Sequence, residues 1–331
     1  MSLSRLFLIA CLGLLWMLAP PRAEAATTCT ATLTDLAFGQ VNEQQVVPTT
    51  ATLRYECRTD TFLADRTSVR LCLGIGPGSG SGSTVNQRYM RNTQADALGF
   101  RITRDPTATS NWGNTVGTWQ EVSLGYNLSG GIFNRSGRGE GQLTVYGQVP
   151  AQSGLAAGSF TSTFNDTQMI YQYREIFIFG SDPSSCTTGG EAGGNGTFPF
   201  TARASVPGNC TLQGATDLNF GSLLSTSTGL IEKSSVISLS CTRRTAWQIG
   251  LDNGRNWNGS SRRLKNGAVY LNYELYRSSG WDRWGNTLNA DTRTGSGTGV
   301  TEQVTVYGRI TNQPLTQAGR YGDTIKVTVT Y

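Results

Sequence analysis

Thr197-Phe-Pro-Phe-Thr-Ala-Arg-Ala-Ser-Val-Pro-Gly-Asn-Cys210 is the stretch on which the reading of this chain turns. Phe198, Phe200, Ala202, Ala204 and Val206 alternate with Pro199, Thr201, Arg203 and Ser205. A period of two places one set on one face of an extended strand. So short a strand has no stability of its own and must add to a sheet. The preceding Thr187-Thr-Gly-Gly-Glu-Ala-Gly-Gly-Asn-Gly196 has the composition of a flexible tether. Just past the stretch, Cys210 opens a second copy of what Cys29 opens. The expectation is a donor strand between two related domains that completes the first of them in cis. Tyr171–Phe179 is the rival strand for that role.

The duplication runs the length of the chain in constant order. Thr34-Asp-Leu-Ala-Phe-Gly39 is answered by Thr216-Asp-Leu-Asn-Phe-Gly221, and Leu53-Arg-Tyr-Glu-Cys57 by Ile237-Ser-Leu-Ser-Cys241. Leu98-Gly-Phe-Arg-Ile102 matches Leu271-Asn-Tyr-Glu-Leu275, and Trp112-Gly-Asn-Thr115 recurs as Trp284-Gly-Asn-Thr287. Gln142-Leu-Thr-Val-Tyr-Gly147 recurs as Gln303-Val-Thr-Val-Tyr-Gly308, and Ala157-Gly-Ser-Phe160 as Ala318-Gly-Arg-Tyr321. Short alternating strands at regular spacing, with glycine-rich turns and little helical periodicity, predict an all-β chain of two immunoglobulin-like β-sandwiches. Copy two ends on Asp323-Thr-Ile-Lys-Val-Thr-Val-Thr-Tyr331, an alternating strand with nothing after it to pair its edge. The second sandwich is therefore expected to lack its last strand. Ile325, Val327, Val329 and Tyr331 form the candidate strand-acceptor edge.

Residues 1–25 read as a secretory signal peptide: Arg5, the apolar run Leu6–Leu18, and a small-x-small site before Ala26. The apolar run is too short for a membrane anchor, and no later stretch is expected to span a bilayer. The expected units are residues 26–186, a linker with the donor strand over 187–206, and 207–331. After cleavage only Ala26, Thr27 and Thr28 precede Cys29. This subunit is thus expected to receive a strand but to have none to give outward. Removing the signal leaves Cys29, Cys57, Cys72, Cys186, Cys210 and Cys241, an even count that in an exported chain favours disulfides. The repeat pairs Cys29 with Cys57 and Cys210 with Cys241, leaving Cys72 for Cys186. Each loop of about thirty residues closed this way stabilises its domain by roughly 3 kcal/mol.

Several function classes recede on composition. The chain has no histidine, so neither a Ser-His-Asp nor a Cys-His arrangement can form, and no CxxC spacing suggests zinc. No cofactor is expected. Gly76-Pro-Gly-Ser-Gly-Ser-Gly-Ser83 lacks the lysine and helix of a phosphate-binding loop. Glu121 and Glu140 are the one carboxylate pair weighed for glycosidase chemistry, and they are read as solvated surface. The formal net charge of +5 is mild and scattered. Arg243-Arg244 and Arg262-Arg263-Leu-Lys265 are read as solvated basic spots rather than a nucleic-acid surface.

The Cys…Asp-Leu-x-Phe-Gly opening, the Thr-Val-Tyr-Gly strand and the ending Gly319-Arg-Tyr-Gly-Asp-Thr-Ile-Lys-Val-Thr-Val-Thr-Tyr331 resemble the spore coat protein U domain family. The likeness covers about residues 197–331 most specifically, and copy one with drift in its ending. That family resembles the pilins of archaic chaperone–usher pili, and a two-domain chain resembles their tip adhesin. The resemblance implies an incomplete sandwich. A periplasmic chaperone holds it first, an outer-membrane usher assembles it, and the donor segment of the next pilin subunit completes it by β-augmentation. It also implies a secreted location at the cell surface, on a pilus tip, with attachment to an abiotic or host surface and biofilm formation. A structural coat or matrix protein and a secreted carbohydrate-binding module are the alternatives. Trp112, Trp119, Trp257, Trp281 and Trp284 would serve the second alternative if exposed, although Trp112 and Trp284, at equivalent repeat positions, read as core.

Copy one also carries extra loop sequence, including Gly117–Gly137. There Trp119, Leu124, Tyr126, Leu128, Ile132 and Phe133 stand beside glycines. Trp119, Tyr126, Ile132 and Phe133 are the candidate adhesive loop, since loops on a rigid sandwich are where binding concentrates. The competing reading is an ordinary hairpin whose apolar side faces the core.

Overall fold

The computed structural model describes residues 26–131, 133–224 and 229–331. The expected signal peptide and Ile132 lie outside these residues. No helix occurs among the described residues, and the chain is an all-β, two-domain protein. The first half and the link build β1 (Ala26–Leu33), β2 (Leu36–Gln40), β3 (Val47–Thr61), β4 (Arg66–Gly74), β5 (Arg88–Arg91), β6 (Ala97–Thr103), β7 (Gln120–Asn127), β8 (Ser129–Gly131), β9 (Asn134–Val149), β10 (Gly158–Phe164), β11 (Gln168–Ile176), β12 (Ala192–Gly196) and β13 (Phe200–Val206). The second half builds β14 (Cys210–Ala215), β15 (Ile231–Cys241), β16 (Ala246–Leu251), β17 (Arg262–Asn266), β18 (Val269–Tyr276), β19 (Arg293–Ser296), β20 (Thr301–Ile310) and β21 (Val327–Thr330).

Each domain faces one sheet against another across its own core. In the first, a sheet ordered β1-β3-β9-β6-β5-β10-β13-β2, with β8 on β9, packs on a sheet ordered β12-β11-β4-β7. In the second, β14-β15-β20-β18-β17 packs on β19-β16-β21. Alternation sets the faces: Ala51, Leu53, Tyr55 and Cys57 of β3 point inward, as do Val69, Leu71 and Leu73 of β4. Cys29 lies directly opposite Cys57, and Cys210 opposite Cys241, with Cα atoms 4.0 and 4.1 Å apart. Each disulfide staples the first strand of its domain to its neighbour. The third joins Cys72 on β4 to Cys186.

The repeat extends to a buried device that composition hides. Trp112 donates Nε1–H to the Leu73 carbonyl at 2.7 Å, and Trp284 does the same to Ile249 at 2.7 Å. Beside them lie Arg88 and Arg262, both fully buried. The Arg88 guanidinium donates to the carbonyls of Ile75, Gly76 and Trp112 at 2.6–2.9 Å. Arg262 donates to those of Leu251, Asp252 and Trp284, and pairs with Glu274. Burial pushes Arg88 down to about 10, so it stays charged at neutral pH. Arg262 is thus no solvated basic spot. Its charge serves carbonyls that the core shuts off from water.

Two further expectations are corrected by the strand pairing. The glycine-rich segment is not a free tether, because Ala192–Gly196 pairs with β11 from Met169↔Gly196 to Tyr173↔Ala192. Backbone pairing there satisfies amides that glycine cannot shield with side chains. The rival closing strand near Tyr171–Phe179 is instead β11, which sits in the other sheet and ends at Ile176.

Arg88→Met tests the buried cation. It removes the donor to three buried carbonyls, each costly to leave unmet. Urea unfolding should report a loss of about 3–5 kcal/mol, whereas a surface change such as Arg138→Met should fall within about 0.5 kcal/mol.

Candidate functional site

In the first copy β13 occupies a place in the sheet where, among the described residues, the second copy has no strand. β13 lies between β10 and β2, antiparallel to β10 from Gly158↔Val206 to Phe164↔Phe200, and parallel to β2 with Ala202↔Leu36. Its inward side chains Phe200, Ala202, Ala204 and Val206 are buried, with Phe198 just ahead of it. The rings of Phe164 and Phe200 stack at 4.4 Å between centroids. Polar groups secure it: ahead of the strand, Phe198 N donates to the buried Thr167 Oγ1 at 2.9 Å, and on the exposed side Thr201 N donates to Asp35 Oδ1 at 2.8 Å and Arg203 pairs with Asp35. Val41 N closes the far end on the Ser205 carbonyl at 2.8 Å.

The second domain has the same contacts around the equivalent place. The single bridge Lys265↔Gly322 answers Thr161↔Arg91, so residues 319–325 stand where β10 stands. A Cβ on Gly147 would meet Leu36 and Phe38, and one on Gly308 would meet Leu218 and Phe220, so residues 218–221 stand where β2 stands. Neither segment is a strand, and no described residue lies between them as β13 does in the first domain. Leu36 and Phe38 are buried, whereas Leu218 and Phe220 are only half-buried, as are Tyr321 and Ile325. Asp323 in the wall accepts from Tyr273 Oη at 2.8 Å, Arg255 N at 3.0 Å and Asn256 Nδ2 at 3.1 Å. Burial and then the bonded Asp323 carboxylate push the Tyr273 phenol well above its usual range.

The candidate acceptor residues thus divide. Ile325 belongs to the slot wall rather than to β21. Val327 and Val329 lie on β21, paired to Leu251 and Ile249 of β16 and half-buried against the core. Tyr331 follows β21 and is exposed. β21 is the last strand of its sheet, while its counterpart β11 is covered along that edge by β12.

At the opposite end of the first domain three loops converge. Asp65 N donates to the Ile176 carbonyl at 2.9 Å, Leu128 N donates to the Asp65 carbonyl at 2.8 Å, Arg135 pairs with Asp65, and Thr61 bonds Glu175. Around this polar knot stand exposed apolar side chains: Phe62 and Leu63 after β3, Phe133 before β9, and Phe177, Ile178 and Phe179 after β11. Phe179 is 93% exposed, and the rings of Phe62 and Phe133 touch at 4.7 Å. Following the ladder from β3 through β9, β6, β5 and β10, the Val206 end of β13 lies at the Val47 end of β3, away from this tip.

Among the loop residues singled out from sequence, only Phe133 is seen at the tip. Tyr126 is buried on β7, its hydroxyl 2.8 Å from Thr59 Oγ1, because every second residue of that strand faces the core. Trp119 is half-buried just ahead of β7. Phe62, Leu63 and Phe177–Phe179 were missed. The signal for the last three is an unbroken apolar run, Ile176-Phe-Ile-Phe179, which continues past the end of β11 into exposed chain.

Ala202→Asp places a carboxylate in the filled slot with no partner. Full-chain denaturation should show the first domain losing about 3–5 kcal/mol, while Arg203→Ala on the outward face should cost under about 1 kcal/mol.

Solved structures that the chain resembles include the CsuC–CsuE chaperone–tip adhesion subunit pre-assembly complex of archaic chaperone–usher Csu pili from Acinetobacter baumannii. It is 17% identical, with a TM-score of 0.40, covering 92% of this chain and 100% of that one. The CupB6 tip adhesin from Pseudomonas aeruginosa is 13% identical, with a TM-score of 0.34, covering 92% of this chain and 95% of that one. No curated protein matches the chain. The Spore Coat Protein U domain matches residues 18–167 and again 196–328, the two halves whose cysteines, tryptophans and buried arginines repeat, and the chain belongs to that family.

Proposed function

We propose that this protein is an adhesive pilus subunit, secreted through the periplasm and carried at the tip of a chaperone–usher pilus on the cell surface. One observation carries the reading: two homologous slots, one filled by β13 and one open among the described residues. A trough lined by Leu218, Phe220, Tyr321 and Ile325 beside unpaired backbone is a hazard in water until a strand covers it. A periplasmic chaperone supplies such a strand first, and the donor segment of a neighbouring pilin then replaces it at the usher. The incoming strand runs antiparallel to residues 319–325 and beside 218–221, as β13 does in its own domain. The β21 edge with Val327 and Val329 offers a second surface to the chaperone. In this scheme residues 26–206 are the adhesive unit, closed by its own strand, and 210–331 are the pilin-like unit. The apolar tip of Phe62, Leu63, Phe133 and Phe177–Phe179 grips apolar abiotic or host surfaces, since exposed apolar loops on a rigid frame serve contact.

The slot is tested with a synthetic peptide of residues 197–206, whose side chains suit the homologous slot. At about a hundredfold its dissociation constant it should raise the stability of the second domain by about 2.7 kcal/mol, and the Ala202→Asp version should not. A mature chain that is monomeric, thermally robust and indifferent to peptide would overturn the open slot.

The tip is tested separately. Phe133→Ser, Phe177→Ser and Phe179→Ser together should leave the melting temperature unchanged while adhesion to polystyrene falls at least about tenfold, because these side chains are already in water. Undiminished adhesion would remove the tip from the reading and leave a structural coat or matrix role.

A further inference from the structure

The first domain carries a groove on the outer face of its smaller sheet. Cys72 sits on β4 between the inward Leu71 and Leu73, so its side chain points to the outer face of the sheet. Yet it is almost fully buried, because Cys186 and the chain around it lap over that face. From there the chain returns to pair with β11 as β12. Over the outer face of the paired strands β11 and β12, beside the lapping segment, lies a groove of about 740 Å³. Its size is that of a small-ligand site, roughly 300–1,000 Å³. In the second domain β21 is an edge strand, and neither a third disulfide nor a β12 counterpart occurs among the described residues.

The chemistry of the lining is selective. Four carboxamides, on Asn114, Gln168, Gln172 and Asn195, face the groove, and none has a hydrogen-bond partner among the described residues. The hydroxyls of Thr187 and Thr197 join them. No lysine or arginine lines the groove. Its one charge, Asp166, has Oδ2 accepting from Gly78 N at 2.8 Å. Ile170, between the two glutamines on β11, gives an apolar floor. The wall of β12 is Gly193, Gly194 and Gly196. A Cβ on Gly193 would collide with the Tyr171 carbonyl and the Gln172 carboxamide, so glycine is what leaves that amide free to face the groove.

We infer that this groove binds a neutral, hydroxyl-rich chain, a short oligosaccharide, at a site separate from the apolar tip. A carboxamide presents a donor and an acceptor side by side and so matches vicinal hydroxyls, each of which both donates and accepts. The groove has no cation to draw a phosphate or sulfate, and its carboxylate repels acidic sugars. Its apolar surface is too slight for a lipid, while Ile170 is enough to meet the C–H face of one ring.

The experiment is a neutral-glycan array of glucan, mannan, galactan and chitin oligomers probed with the full mature chain, followed by saturation-transfer NMR on the glycans retained. At least one neutral glycan should bind, and binding should persist in about 0.5 M NaCl, where contacts between exposed charges are screened. Gln168→Ala with Gln172→Ala should weaken it at least about tenfold, and Asn195→Ala on the neighbouring strand should weaken it independently, each with an unchanged melting temperature. The Phe177→Ser/Phe179→Ser tip variant should bind glycan as before. Retention of acidic glycans only, retention of none, or binding that survives both groove variants would each overturn the site. Glycan binding lost with the tip variant would assign it to the tip instead.

Discussion

A sheet that lacks a strand leaves two things unmet at once, a row of backbone donors and acceptors and an apolar trough beneath them. Only another strand satisfies both, because its backbone supplies the ladder while every second side chain enters the trough. In the first domain β13 does this from the same chain. Phe200, Ala202, Ala204 and Val206 go inward, and Asp35 secures the outward side through Thr201 and Arg203. The order of the large sheet, with β13 between β10 and β2, makes that strand a central member rather than an appendage.

The dependence is visible in one motif with two fates. Thr34-Asp-Leu-Ala-Phe-Gly39 and Thr216-Asp-Leu-Asn-Phe-Gly221 are nearly the same words, yet Leu36–Gln40 is a strand and Leu218–Gly221 is not. Gly39 and Gly221 even share a left-handed turn, at φ of 68° and 82°. What differs is the neighbour: β2 has the parallel partner β13, and its counterpart has none among the described residues. Secondary structure here is set by tertiary pairing, as β-propensity generally is. The same holds for residues 158–164, a strand beside β13, against residues 319–325, which keep a single bridge.

Much of the frame was legible in the sequence, because duplication turns one chain into two readings of the same fold. Cysteine pairing, the Trp-Gly-Asn-Thr turns and the alternation of Phe198–Val206 each follow from a short period or a repeated word. The buried arginines were not legible. Arg88 and Arg262 are solvated mainly by carbonyls of residues ten or more positions away, with Glu274 pairing Arg262, and nothing in the adjoining sequence separates them from surface arginines such as Arg138. The tip was half legible. Phe133 stood out in its loop, but Phe62 and Phe177–Phe179 join it only because the Asp65 knot gathers strand ends far apart in sequence. The role of the glycine run was misjudged because composition reports what a segment can do when alone. β11 offered Gly193 and Gly194 a partner.

The filled slot also fixes how the two domains are joined. β13 ends at Val206 and β14 begins at Cys210, so Pro207, Gly208 and Asn209 are the covalent link between them. A second connection runs beside this one: Ala157 N donates to the Arg243 carbonyl at 2.8 Å, and Asp96 receives Arg243 Nη2 at 2.6 Å and Arg244 Nε at 2.5 Å. Burial pushes the Asp96 carboxyl up, but Asn92 and the two guanidiniums outweigh it and hold the group below the ordinary carboxylate range. Since the Val206 end of β13 faces away from the tip, a pull between tip and second domain acts along β13, and its ladder to β10 is loaded in shear. All seven residue pairs of that ladder share the load, where peeling would break them one at a time. The strand that completes the first core is therefore also the member that ties it to the second domain.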